Sequence, residues 1–151
     1  MLSEPQRDLV RDRGTKVGRL LIGLLFFASG LSMLLVNGPE ATATYFTTLG
    51  IPAASMVVWL VIGVKVVAGL AIIVGYRVGL ASAMLIGFTV LTTMIAHADF
   101  SDPTQITAAL KNLAIVGGLL YLMAYGPGGA NANRLAPAKA PEPHTQNARV
   151  E

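Results

Sequence analysis

Apolar residues fall in four long runs along the chain, over residues 17–36, 53–74, 78–96 and 106–125, with polar residues collected between them. At ~1.5 Å of helical rise per residue, each run is about long enough to cross the ~30 Å hydrocarbon core of a bilayer. The second run, AASMVVWLVIGVKVVAGLAIIV, holds a single lysine, Lys65, among residues that are otherwise apolar, small or hydroxylic. A lysine near the middle of a span costs about 2.5–3.5 kcal/mol on insertion scales, and the cost falls when the side chain turns into a bundle and meets acceptors. Lys65 is therefore expected to face other helices. The links Gly75-Tyr76-Arg77 and HADFSDPTQ (97–105) are short, which forces neighbouring helices antiparallel. The expected fold is all-α, an integral membrane four-helix bundle running up-down-up-down.

Between the first two runs lies NGPEATATYFTTLGIP, residues 37–52, which contains no lysine or arginine. Pro39 is placed to open a short helix, Gly50 to close it, and Pro52 to block its continuation. Over about 39–49 such a helix would put Tyr45, Phe46 and Leu49 on one face, with Ala41 and Thr42 a turn earlier. It is too short to span and reads as an interfacial helix with its rings at headgroup level, or else as an ordered loop. The first run follows a basic flank, and Ala41-Thr42-Ala43 resembles a signal-peptide cleavage site. The run is longer than the 7–15 residues of a signal h-region, so an uncleaved span is expected. From Gly126 onward the chain is rich in Gly, Pro and Ala without periodicity, which predicts a disordered tail over 127–151.

Composition supports this layout. The 151 residues are 54% hydrophobic and only 13% charged, against ~25% charged in soluble domains, so one lipid-embedded domain over 17–126 is expected. The formal charge of +3 would suit nucleic acid, but its positions point elsewhere. Residues 1–19 carry Arg7, Arg11, Arg13, Lys16 and Arg19, the second turn carries Arg77, and the tail carries Arg134, Lys139 and Arg149. The other two links have no cation and carry Glu40, Asp99 and Asp102. This asymmetry predicts that both termini, including the basic segment 1–16, are cytoplasmic. Topology and anionic lipid then account for the charge, and no nucleic-acid partner is required. The absence of cysteine excludes disulfides, thiolate metal sites and thiol chemistry by this chain alone.

The polar residues within the runs mark candidate chemistry. Ser82, Ile86, Thr89, Thr93 and His97 follow steps of three and four and form one stripe on the third helix. Ser29 and Ser32 lie a turn apart on the first, Lys111 and Asn112 lie about 8–9 Å below the outer end of the fourth, and Ala68 and Gly69 on the face of Lys65 permit close helix approach. These positions predict a polar funnel open to the outside, with Lys65 near its floor and the helix of Tyr45 and Phe46 as its lid. The plainer readings are that the hydroxyls bond to their own backbone or a neighbouring helix and that Lys111 snorkels. For Lys65, with no acid in any span, the available partners are hydroxyls, carbonyls, water or a bound anion. His97 and Asp99 are too few for a metal site, and a haem ligated by His97 and His144 would need ligands from opposite sides of the membrane.

Arg19 followed by LLIGLLFFASG, then LGIP (49–52), AGLAIIVGYR (68–77), His97, KNLAIVGGLLY (111–121) and GPG (126–128) together resemble the DoxX family of small bacterial four-helix membrane proteins. The resemblance spans about residues 17–130. It implies a bacterial plasma-membrane protein associated with redox systems, as a subunit of a quinone-reducing thiosulfate oxidoreductase or of an oxidative-stress complex, and it marks Arg19, His97, Lys111 and Asn112 as candidates. Two features differ from the family pattern: Lys65 stands where a glutamate is common, and Ser32-Met33 where a lysine often follows the first-span glycine. The leading expectation is a membrane subunit of a redox complex, without a redox centre or enzymatic activity of its own, holding a quinone headgroup or an anion. Its candidate pocket comprises Lys65, Lys111, Asn112, His97, Thr89, Thr93, Ser29 and Ser32. The alternatives are a non-catalytic scaffold for other membrane or envelope proteins and, third, transport of a small anion by a homo-oligomer.

Overall fold

The computed structural model describes residues 4–96 and 101–128; the expectations for His97 and for residues 129–151 fall outside them. The described residues form five helices: α1 (Glu4–Leu35), α2 (Pro39–Thr48), α3 (Ala54–Val74), α4 (Val78–Ala96) and α5 (Pro103–Tyr125). Four of these, all but α2, are long and apolar enough to cross a membrane. The protein is an all-helical membrane bundle.

Local chemistry sets the helix ends. Helix α1 begins at Glu4, far ahead of the apolar run, because the charged segment is itself helical; Lys16 pairs with Asp12 one turn earlier at 2.6 Å, a spacing that supports a helix surface. Helix α2 starts with Pro39 in its first turn, where the missing N–H costs nothing. It ends in a Schellman motif: Gly50 has φ +73, its N–H donates to Thr47 O, and the Ile51 N–H donates to Phe46 O at 3.1 Å. The same device ends α3, with Gly75 at φ +78 and the Tyr76 N–H donating to Ala71 O at 2.9 Å. Helix α5 starts at Pro103, three residues before the apolar run at 106, because the Asp102 carboxylate accepts from the Thr104 N–H at 2.8 Å and caps the first turn.

Helix α1 packs most extensively on α3, and α4 on α5; α3 also meets α2 and α4, whereas α1 and α5 touch lightly. The α1–α3 seam depends on glycine. A Cβ at Gly69 would lie 2.7 Å from the Phe27 nitrogen and 3.0 Å from Gly23 O, and one at Gly30 would lie 3.0 Å from the Lys65 Cβ. The two backbones are thus as close as side-chain-free positions allow.

A core cluster of Phe26, Ala68, Ile72, Val78, Ala81, Leu85, Leu119 and Leu122 fills one half of the bundle. At that end Arg19, only 7% exposed, donates from Nη1 to Pro127 O at 2.8 Å and so fastens the end of α5 to α1. The outside of the bundle is apolar: Leu21, Leu60, Met94 and Leu113 are each more than 60% exposed, which suits lipid and not water.

Candidate functional site

Beyond Phe26 the four long helices part, and α2 lies across the gap. The result is a chamber of about 710 Å³, a size typical of small-molecule sites. Helix α1 contributes Ser29 and Met33, α3 contributes Lys65, α4 contributes Phe88, Thr89 and Thr92, and α5 contributes Lys111 and Asn112. The face of α2 that carries Ala41, Thr42, Tyr45 and Phe46 closes one side.

Lys65 points into the bundle. Its Nζ donates to Ser29 Oγ at 2.9 Å and approaches Met33 Sδ at 3.5 Å. The ring of Phe88 stands 5.6 Å from the amine, within cation–π range. The reach to Ser29 follows from the seam, because Gly30 lets the Lys65 backbone lie against α1. Phe88 approaches the amine from α4, so three helices enclose it. An ammonium has three N–H donors, and the protein supplies it with one hydroxyl oxygen and one weakly accepting sulfur.

The other polar groups differ in how fully they are used. The Thr93 hydroxyl donates to Thr89 O at 2.6 Å and accepts from Asn112 Nδ2 at 2.9 Å, which ties α4 to α5 and fixes the Asn112 amide. Thr92 donates to Phe88 O at 2.9 Å. Thr89 is 4% exposed and lines the chamber, and its hydroxyl has no partner among the described residues. Lys111 is exposed and lines the chamber without a hydrogen bond or ion pair among the described residues. Ser82 is fully buried among the core residues, away from the chamber, and its hydroxyl also lacks a partner among the described residues.

Of the residues singled out from sequence, Ser29, Lys65, Thr89, Lys111 and Asn112 come together on one chamber, with Tyr45 and Phe46 beside them. Thr93 sits behind Asn112 and lines the neighbouring cleft between α4 and α5. Ser32 is not part of the lining, and Arg19 belongs to the opposite end of the bundle. Sequence reasoning missed Met33, Asn37, Phe88 and Thr92. Phe88 and Thr92 carry a detectable signal, since each immediately precedes a residue of the polar stripe, Thr89 and Thr93. The lining holds two lysine amines, two amides, several hydroxyls and no carboxylate among the described residues. Chemically it can donate hydrogen bonds to carbonyl oxygens or to an anion.

Two curated proteins of Escherichia coli (strain K12) resemble the chain along most of its length. Inner membrane protein YqjF is 32% identical over 126 residues, covering 83% of this chain and 94% of the relative. Inner membrane protein YphA is 26% identical over 124 residues, covering 78% and 86% respectively. No solved structure matches the chain. Inner-membrane relatives and four apolar helices make this a multi-pass protein of the plasma membrane. The DoxX family model matches residues 14–98, which include α2, the glycine seam and Lys65, and the chain belongs to the DoxX family.

Proposed function

We propose that the chain is a ligand-binding membrane subunit of a redox assembly, and that its chamber receives the headgroup of a quinone. The observation that supports this reading is the convergence of unfilled donors on one cavity. Lys65 has spare N–H capacity, and among the described residues neither Lys111 nor the buried Thr89 hydroxyl has a partner. All three line the same chamber beside Asn112. Quinone carbonyls are acceptors and match such a lining, and the ring would lie against Phe26 and Phe88. In this reading electrons come from a partner protein, since the chain has no cysteine and the described residues hold no group of metal-ligating side chains.

One feature favours a second reading. Two lysine amines without a carboxylate also suit a small anion, which would sit between Lys65 and Lys111. Purification of the full chain from its native membrane, followed by solvent extraction and anion analysis, separates the two. The first reading expects quinone enriched over its ratio in bulk membrane and lost from Lys65→Met. Quinone at the bulk ratio together with failure to recover a redox partner would remove it.

The chamber mouth and α2 are assigned to the outer side, and both termini to the cytoplasm, on the distribution of cations. Because the chain has no cysteine, single-cysteine labelling is clean. In whole cells an impermeant maleimide should modify Thr44→Cys and spare Gly128→Cys; the reverse pattern inverts the topology.

A further inference from the structure

A second cavity of about 560 Å³ lies on the outside of the bundle between α2, α3 and α4, and it is apolar almost throughout. Its walls include Leu49, Leu60, Val64, Met84, Leu91 and Ile95, with Gly87 among the α4 positions. Tyr45, Phe46, Val61, Phe88, Thr92 and Ala96 line both this groove and the chamber. The two spaces are therefore neighbours across a wall one side chain thick. The Phe88 ring stands over the Lys65 amine on one side and borders the groove on the other.

We propose that the groove holds the apolar chain of the ligand whose head occupies the chamber, so that the ligand is a single-chain amphiphile entering sideways from the bilayer past Phe46 and Phe88. The proposal rests on the reading of the chamber as a headgroup site and adds where the rest of the molecule lies. A small polar solute would use the chamber alone and gain nothing from the groove. A lipid chain without a tethered head would occupy the groove but leave Lys65, Thr89 and Lys111 unanswered. An occupant with a hydrogen-bond-accepting head and one flexible chain fills both spaces across the shared wall. Leu60 and Leu91, on the groove walls, are 67% and 58% exposed, so the groove is open on the lipid side, where such a chain already resides.

Gly87 provides a direct test. A Cβ there meets no atom within 4 Å, so a larger apolar residue can fill the groove without pressing on the bundle. Two probes share one 2,3-dimethoxybenzoquinone head, one without a chain and one with a decyl chain. Their binding to the full chain in lipid nanodiscs is compared between wild type, Gly87→Leu and Leu91→Trp at fixed lipid content, so that partition into lipid cancels. Gly87→Leu should weaken the chained probe about tenfold, because it takes the place of several methylenes, and leave the chainless probe within about twofold. Leu91→Trp, which alters the α4 wall one turn further along the same face and guards against a folding defect in the first variant, should act in the same direction. Loss of both probes in Lys65→Met, with neither groove variant affecting the chained probe, would overturn the groove and retain the chamber. Binding of neither probe to wild type above empty nanodiscs would remove the chamber reading and the groove with it. A change of oligomeric state in the groove variants, with unchanged probe binding, would assign the groove to a second copy of the chain.

Discussion

The two halves of this bundle are built from the same four long helices but differ in what lies between them. At the end marked by Arg19 and Gly75, a packed apolar cluster fills the centre, and Arg19 donates to Pro127 O. At the end covered by α2, the centre is a cavity of about 710 Å³ edged by Lys65, Thr89, Lys111 and Asn112, where the Thr89 hydroxyl has no partner among the described residues. Fixed backbone packing in the first half positions side chains across a space in the second. The α1–α3 seam serves both halves, because Gly23 and Gly69 meet next to the core while Gly30 meets Lys65 beside the cavity.

If the packed half supplies stability and the open half supplies binding, substitutions should divide accordingly. The largest effect is expected from Gly69→Leu, whose Cβ would be 2.7 Å from a backbone nitrogen of α1. That is overpacking against atoms that cannot move aside, at a cost of about 3 kcal/mol or more; monodisperse yield and thermal midpoint in detergent should collapse. Next, Arg19→Met removes a buried charge-assisted hydrogen bond, worth about 1.5–3 kcal/mol. The thermal midpoint should drop while ligand affinity stays unchanged. Lys65→Met should do the opposite, leaving the midpoint equal or higher and weakening ligand binding at least tenfold, about 1.4 kcal/mol. A midpoint that falls with Lys65→Met as far as with Arg19→Met would erase the distinction between the halves. The smallest effect belongs to Thr93→Val, which leaves the Asn112 amide without its acceptor. It should cost about 1 kcal/mol of stability and loosen ligand binding a few-fold.

Much of this was readable from the chain because lipid imposes simple rules. Lys65 had to turn inward, since a mid-span amine in hydrocarbon is costly, and it does. Pro39, Gly50 and Pro52 bracketed α2 because each acts on the backbone locally. Hydropathy, however, reports where lipid begins and not where a helix begins. It therefore placed the first span at 17 when α1 starts at Glu4, and the fourth at 106 when the cap Asp102-Pro103 starts α5 earlier. Which helices touch was not legible. Ser29 and Ser32 looked equivalent a turn apart, and only the crossing of α1 over α3 at Gly30 selects Ser29 for the amine. The Asn112–Thr93 bond likewise joins residues 19 positions apart whose partnership depends on how α4 and α5 are rotated.

Gly30 has a consequence that extends beyond its own position. Because a Cβ there would meet the Cβ of Lys65 at 3.0 Å as well as Val66 Cγ2 at 2.8 Å, the spacing of α1 from α3 and the reach of the amine are linked. Any wedge inserted at position 30 withdraws the donor from its hydroxyl by the same movement that widens the crossing. A residue with no side chain thus acts as a ruler for the chemistry beside it, and a homologue with a bulkier group at that place would need a longer donor or one rooted on another helix.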